Sequence, residues 1–371
     1  MVRRPSSHAR AAQWLLLLVV GAVAWLLIST AGDNMARRHT GFGFWFLADG
    51  ANFDIPFHLV SWSVGDTYAW ALLVCVLNTL LVSAMSIVAA TLLGLLVGIM
   101  RLSTNWLVRN IALWFIEFVR NTPQLVQIVF WYVAVLQTLP PPRRSIPLPG
   151  GTLLNIRGLY LPRLIEAPRA EVLWPIAVAL LIGVPFLWRA TLRGRPVGGK
   201  ALGLGLLAVA LFAAGISGFN QPALHGFNIT GGVQVPPELV ALWAGLSIYG
   251  AAFIAEIVRA AILAVHKGQR EAALSLGLRP RQVLSKVVLP QALRVMIPPM
   301  TSQYLNLIKS SSLGAAVAYP ELFQIFAGTV LQQSGREVEV MILLMAVFLS
   351  INLLTSAFMN WYNHHVALVE R

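Results

Sequence analysis

Residues Gly194 to Ala201 read GRPVGGKA, one residue away from the phosphate-cradling loop G-x-x-x-x-G-K-S/T. In that loop the final hydroxyl holds Mg²⁺, but Ala201 stands in its place and no buried strand precedes the stretch. A short positive turn between two apolar runs accounts for the same residues, so the chain carries no ATPase of its own. The 7 histidines include no H-E-x-x-H pair, and His364 and His365 lie in a polar tail, which gives no metal site. The 14 acidic residues fall mostly in loops, and none forms a pair in an apolar setting suited to acid–base chemistry. Cys75 is the only cysteine, which excludes an intrachain disulfide or a Cys-based metal centre, and it reads as a small buried apolar residue. No catalytic residue is assigned, and the chain is not read as an enzyme.

A few polar residues interrupt otherwise apolar runs, where a charge is costly and usually faces protein or water. Glu256 and Arg259 stand at i and i+3, a spacing that lets them pair on one helix face. Lys309, in NLIKSSSL beside Ser310, either lines a solute path, pairs with Glu256 or snorkels to the interface. Asn121, Thr122 and Gln124 flank Pro123 at the start of an apolar run, where Thr122 and Gln124 serve either as caps or as solute contacts.

These residues need a bilayer-spanning frame to hold them. Of 371 residues, 57% are hydrophobic and only 11% charged, against roughly 25% charged in soluble domains. About 20 apolar residues span the hydrocarbon core as a helix. The hydropathy predicts about eight crossings, at 12–30, 68–99, 124–139, 173–188, 201–217, 239–262, 298–318 and 339–360. The fold class expected is therefore all-α, a polytopic membrane helix bundle. The first run resembles a secretory signal superficially, but its apolar core exceeds the usual 7–15 residues and reads as an uncleaved anchor.

The net charge of +13 would suggest nucleic acid for a soluble chain, but its distribution says otherwise. With both termini inside, the inside segments carry 17 Lys and Arg against 8 outside, as the positive-inside rule requires. The exception is the Arg-bearing segment 140–172, whose prolines and glycines predict irregular structure. The chain divides into an anchor and outside loop (1–67), a first core part (68–139), an insert with two short crossings (140–238), a second core part (239–360) and a tail (361–371). No internal repeat is visible, which counts mildly against transporters built from duplicated halves.

The most helix-prone polar loop, 263–297, sits between two of these crossings. Gly268 breaks the pattern after 239–262, QREAALSL supplies strong helix formers, and Gly277 ends that short helix. Pro280 opens the next helix, and Pro290 reads as a second break. Val283, Leu284, Val287 and Val288 share one apolar face of RQVLSKVVL. A basic amphipathic segment of this kind can also bind anionic lipid without a protein partner. That reading does not account for the Glu-Ala-Ala start, the Gly at the seventh position and the Leu-Pro ending together.

E-A-A-x-x-x-G, then nine residues, then I-x-L-P, marks the membrane subunits of ABC-type importers. This sequence resembles them at Glu271, Ala272, Ala273, Gly277, Leu289 and Pro290, with Val287 in the Ile position. The stretches VRNTPQLVQIVFWY (Val119 to Tyr132), YGAAFIAEIVRAAI (Tyr249 to Ile262) and LNLIKSSSLGAAVAYPEL (Leu305 to Leu322) look like polar amino-acid permeases. The anchor and insert look like the larger permeases of general L-amino-acid importers. The resemblance implies a type I importer permease core in a bacterial inner membrane. It also implies a separate ATPase holding ATP and Mg²⁺, a second related permease in a hetero- or homodimer, and a periplasmic amino-acid-binding protein. In such systems the six motif residues couple to the ATPase, while no cofactor binds the permease itself. Asn121, Thr122, Gln124, Glu256, Lys309 and Ser310 are the candidates for the solute path. The alternative class is an ion-gradient-driven transporter or channel, supported only by Lys309 and Ser310 to Ser312. A membrane-embedded enzyme would need paired acids, histidines or a nucleophile motif in the crossings, and none is visible.

Overall fold

The computed structural model describes residues 7–37, 42–192 and 198–366. The first part of GRPVGGKA and the end of the tail lie outside the described residues, as do the side chains of His364 and His365. The described chain forms two compact units, one of residues up to Asn78 together with Pro320–Thr355, the other of Thr79–Tyr319 together with the residues from Ser356 on.

In the first unit, helix α1 (Ser7–Arg37) exposes its apolar residues from Trp14 to Leu26. An apolar helix with no protein face to bury suits a lipid surrounding. Residues 42–67 form a folded lobe rather than a free loop. The amide of Ala51 donates to the Asp66 carbonyl at 2.8 Å and that of Asn52 to Val64 at 3.0 Å. Phe46, Ile55, Tyr68, Cys75, Phe326 and Leu344 build its core, with Cys75 buried as its sequence context suggests. Asn78 clamps this unit, its Nδ2 donating to the carbonyls of Phe57 and Pro320, both at 2.8 Å.

Glu321 is fully buried in the same unit. Its carboxylate accepts from the amides of Phe323 at 2.9 Å and Gln324 at 2.6 Å, in the first turn of the helical run starting at Leu322. Burial pushes its pKa up to about 7, against the opposing pull of those two amides. A carboxyl with a raised folded-state pKa holds its stabilising contribution below its ordinary value near 4.5 and loses it as pH rises through about 7. The denaturation midpoint of the detergent-solubilised protein is therefore expected to fall between pH 5 and pH 8. Glu321→Gln should flatten that slope, and an unchanged slope would show that other groups dominate.

The second unit is built on long helices. Helix α2 (Tyr68–Arg101) continues into it from Thr79. After α2, Asn105 caps α3 (Trp106–Asn121), its Oδ1 accepting from the amides of Leu107 and Val108. The hydropathy of 100–123 predicts no crossing because Arg109, Glu117 and Arg120 dilute it. A 16-residue helix nonetheless forms, burying Ala112, Ile116 and Val119. Helix α4 (Gln124–Val129) continues into a wide i→i+5 turn, Phe130–Leu136.

In the insert, helices α5 (Ala170–Leu192) and α6 (Gly198–Ala214) pack on each other, with Trp174 stacked on Phe212 at 5.6 Å. The segments flanking them depart from the all-α expectation. Strands β1 (Ile146–Leu148), β2 (Thr152–Asn155) and β3 (Gly158–Leu161) form an antiparallel sheet. β4 (Arg163–Glu166) pairs with β5 (Ile216–Asn220), and β6 (Ala223–His225) with β7 (Asn228–Thr230). β8 (Val233–Val235) closes the first sheet against β3. Gly158, at φ +117°, lets β3 pass directly against the Val235 carbonyl, where a Cβ would collide. The prolines and glycines read as loop signals are the turns of these hairpins, and strands of three to five residues carry too little alternation to be seen.

Helix α7 (Pro237–Ala264) is the hub of this unit, packing against α3, α4 and α10 (Leu289–Ser310). The second unit continues through α8 (Lys267–Ser275), α9 (Pro280–Val283) and α10 (Leu289–Ser310). Beyond it come α11 (Leu331–Ser334) and α12 (Glu337–Val366). Each of the eight predicted crossings coincides with helix, but among the described residues three are long and apolar enough to span a bilayer: Tyr68–Arg101, Pro237–Ala264 and Glu337–Asn363. Gln13–Leu26, Gln124–Leu136, Ala170–Val184 and Gly199–Ala214 are shorter apolar helices, and 298–318 is the end of α10 followed by a tight 3₁₀ run, Ser311–Val317.

Candidate functional site

The loop between α7 and α10 is assembled from local signals. The chain leaves α7 at Val265, three residues before Gly268, and Gly268 belongs to the first turn of α8. His266 is the N-cap, its Nδ1 accepting from the Gly268 amide at 3.1 Å. At the other end Gly277 has φ +78°. Its amide donates to the Leu274 carbonyl at 2.9 Å and that of Leu278 to Ala273 at 3.3 Å. These paired bonds form a Schellman stop and satisfy two carbonyls that the helix end would leave bare. A Cβ on Gly277 would meet nothing within 4 Å, so its need for glycine comes from backbone angle and not from lack of room.

Pro280 opens α9 as expected, with the Arg279 amide donating to Gln282 Oε1 at 2.9 Å. The expected second break at Pro290 is absent, because the helical run is continuous from Pro280 to Ser310. A wide turn at Leu284–Val288 makes this possible, with the Leu289 amide donating back to Leu284. Proline brings no N–H, and beside it Gln291 Nε2 donates to the Val287 carbonyl at 3.0 Å. The same turn shifts the apolar face: Val283 and Val288 are buried, whereas Leu284 is exposed.

Among the six motif residues only Ala273 is buried, packing α8 onto the loop. Glu271, Ala272, Gly277, Leu289 and Pro290 are exposed. Beside them Leu276 is 82% exposed, an apolar side chain on a polar loop that sequence reasoning did not single out. Its position directly before the terminating glycine was the available signal. The loop thus offers one carboxylate, a small flat alanine surface and a projecting leucine, a set suited to docking in a protein groove.

The solute-path candidates do not form one cluster. Asn121 and Thr122 cap the end of α3 instead of opening α4: Asn121 Nδ2 donates to the Glu117 carbonyl at 2.7 Å and Thr122 Oγ1 to Phe118 at 2.8 Å. The break at Pro123 is held by Gln127, whose buried amide donates to the carbonyls of Val119 at 2.9 Å and Thr122 at 3.1 Å. Gln127 was not predicted. Gln124 Nε2 is buried without a hydrogen-bond partner. Thr122 and Gln127 line an apolar cavity of about 430 Å³ with Phe118, Phe130 and Trp131.

Glu256 takes Arg259 as its partner, with Arg259 Nε donating to both carboxylate oxygens at 3.1 and 3.0 Å. The guanidinium of Arg120 lies over the Phe253 ring at 5.1 Å, one turn before Glu256. Lys309 is exposed and forms no pair with Glu256, and Ser310 follows it at the end of α10. The other feature missed is a seam of small residues. Gly94 and Gly98 of α2 press against Ala251, Ile254, Ala255 and Val258 of α7, and Gly245 presses against Ile128. The G-x-x-x-G spacing of Gly94 and Gly98 was its signal in the sequence. No group of three or more metal-ligating side chains occurs among the described residues.

A family model described as "Binding-protein-dependent transport system inner membrane component" matches residues 90–368. The putative amino-acid ABC transporter permease protein YhdX of Escherichia coli (strain K12) is 46% identical over 368 residues, covering 96% of this chain and 93% of that protein. The general L-amino acid transport system permease protein AapQ of Rhizobium johnstonii is 44% identical, covering 96% and 91%. A solved amino acid ABC transporter with histidines shares the fold, with a TM-score of 0.51 and 18% identity over 80% of this chain and 95% of that one.

Proposed function

The chain belongs to the family of binding-protein-dependent transport system inner membrane components, and from that membership we propose that it is the permease that carries L-amino acids in an ATP-driven importer. It is a transport permease of the inner membrane and not an enzyme. The ion-gradient-driven alternative has no support in this membership. The amino-acid cargo rests on the names of relatives 46% and 44% identical over nearly the whole chain.

In this reading all eight apolar segments cross the membrane, with both termini on the cytoplasmic side. A periplasmic amino-acid-binding protein delivers the solute, and a second related permease completes the path. A separate ATPase, holding ATP and Mg²⁺, supplies the energy. The path draws on Asn121, Thr122, Gln124, Glu256, Lys309 and Ser310. The ATPase docks on Glu271, Ala272, Ala273, Gly277, Leu289 and Pro290, with Leu276 added. A short helix capped at both ends passes a rigid-body displacement to the helices flanking it.

The single observation carrying the docking assignment is the exposed surface of α8 and its C-cap, where Glu271, Ala272 and Leu276 are all exposed. In this reading Leu276 and Leu274, 82% and 49% exposed, bury against the ATPase. Gentle co-purification tests it: the wild-type chain is expected to bring an ATPase subunit with it. Leu276→Asp and Glu271→Arg should each reduce the recovered ATPase at least tenfold without lowering permease yield. Full recovery with both variants would remove the docking assignment.

A further inference from the structure

A groove of about 710 Å³ opens where the last turns of α2 and α7 meet the loop and α10. Its volume lies inside the range of about 300–1,000 Å³ common for ligand sites. The walls are apolar, with Leu96, Ile99, Leu263, Leu284 and Leu293 all substantially exposed. Arg270 is the one charged residue lining it, and no carboxylate does.

Arg270 is already half explained. One terminal nitrogen, Nη2, donates to the Ile262 carbonyl at 2.9 Å, and Ile262 lies in the last turn of α7, where carbonyls lack helical partners. Its Nε, however, is buried without any hydrogen-bond partner. A buried donor left unmade is costly, and a guanidinium favours an anionic oxygen above other acceptors. Two of its walls are the last turns of α2 and α7, both long and apolar enough to span a bilayer, so in the reading given above the groove falls at the end of the hydrocarbon layer with its cation at the polar edge. Basic pockets between spanning helices are a recognised setting for lipid head groups.

We propose that this groove holds an anionic phospholipid, with an acyl chain along Leu96, Ile99, Leu263 and Leu293 and the phosphate at Arg270. A neutral hydrocarbon chain would fill the walls but leave Nε unmatched, and an acidic peptide would match Nε but leave the leucines bare. The lipid satisfies both. It also braces α8 against α7 behind the exposed docking face, so the bound lipid becomes part of the loop's support.

The test uses the full chain with its partner subunits, reconstituted in vesicles of phosphatidylglycerol and phosphatidylethanolamine in equal amounts, extracted in mild detergent and analysed for retained lipid. Wild type is expected to keep about one phosphatidylglycerol per chain, enriched at least fivefold over phosphatidylethanolamine. Arg270→Gln should lower retained phosphatidylglycerol at least fivefold and Arg270→Lys should restore most of it. Leu293→Trp, which fills the groove, should lower retention of both lipids. Equal retention of the two lipids by wild type overturns the proposal, whatever the variants do. So does a photo-crosslinker at position 293 that labels the ATPase or a second permease in place of lipid. Retention is read without transport, so its failure is distinct from failure of the cargo or ATPase assignment.

Discussion

Gly277→Val is expected to reduce solute-stimulated ATP hydrolysis at least tenfold in vesicles carrying the permease with its ATPase, while leaving the chain folded and inserted. The residue stands at φ +78° with its amide and that of Leu278 bonded back to Leu274 and Ala273. A β-branched side chain is strained at such an angle by about 1–3 kcal/mol. The strain is relieved by straightening the exit from α8, which rotates Leu276 and Glu271 away from a docking partner. Since no atom lies within 4 Å of the missing Cβ, crowding is not the cause. Gly277→Asn is therefore expected to stay within about twofold of wild type, because asparagine tolerates the left-handed region. If Asn proves as damaging as Val, side-chain bulk at a partner surface and not backbone angle is the requirement at this position.

Replacing both Gly94 and Gly98 by valine is expected to abolish recovery of folded protein from membranes. A Cβ at Gly94 would stand 2.6 Å from Ile254 Cγ2 and 3.0 Å from the Ala251 carbonyl oxygen. One at Gly98 would stand 2.8 Å from the Ala255 carbonyl oxygen and 2.8 Å from Val258 Cβ. Carbonyl oxygens of a helix cannot turn aside, so α2 and α7 must separate along the whole seam. Overpacking costs typically about 1–3 kcal/mol per site, and two sites on one seam approach the total stability of many domains. Single Gly98→Ala should lower the denaturation midpoint measurably. Gly21→Val in α1, with nothing within 4 Å, serves as the control and should leave it unchanged. Size-exclusion profiles and denaturation midpoints of the solubilised chain decide the matter, and a monodisperse double variant would show that the seam is not required.

The motif loop was legible because its instructions are local. Glycine at the end of a helix-prone run, proline at the start of the next and the Glu-Ala-Ala surface act over a few residues, and α8 and α9 form where those signals stand. Capping at His266 and the wide turn at Leu284–Val288 were not legible. The first uses a side chain that is an uncommon cap, and the second inserts a residue into a pattern that otherwise reads as regular. That inserted residue is why Pro290 does not end the helix and why Leu284 leaves the buried face.

The sequence by itself determined that the chain lives in a bilayer, where its apolar segments lie and which loop forms a capped helix between two of them, because hydropathy and capping are written into contiguous residues. It also marked the Glu256–Arg259 pair, a contact within a single helix turn. Tertiary structure alone decided the short sheets of the insert, the burial of Glu321, the glycine seam between α2 and α7 and the groove at Arg270. Each of these depends on residues far apart in sequence meeting in space. Their partners are fixed by packing and unmatched hydrogen bonds, for which a linear pattern carries no period.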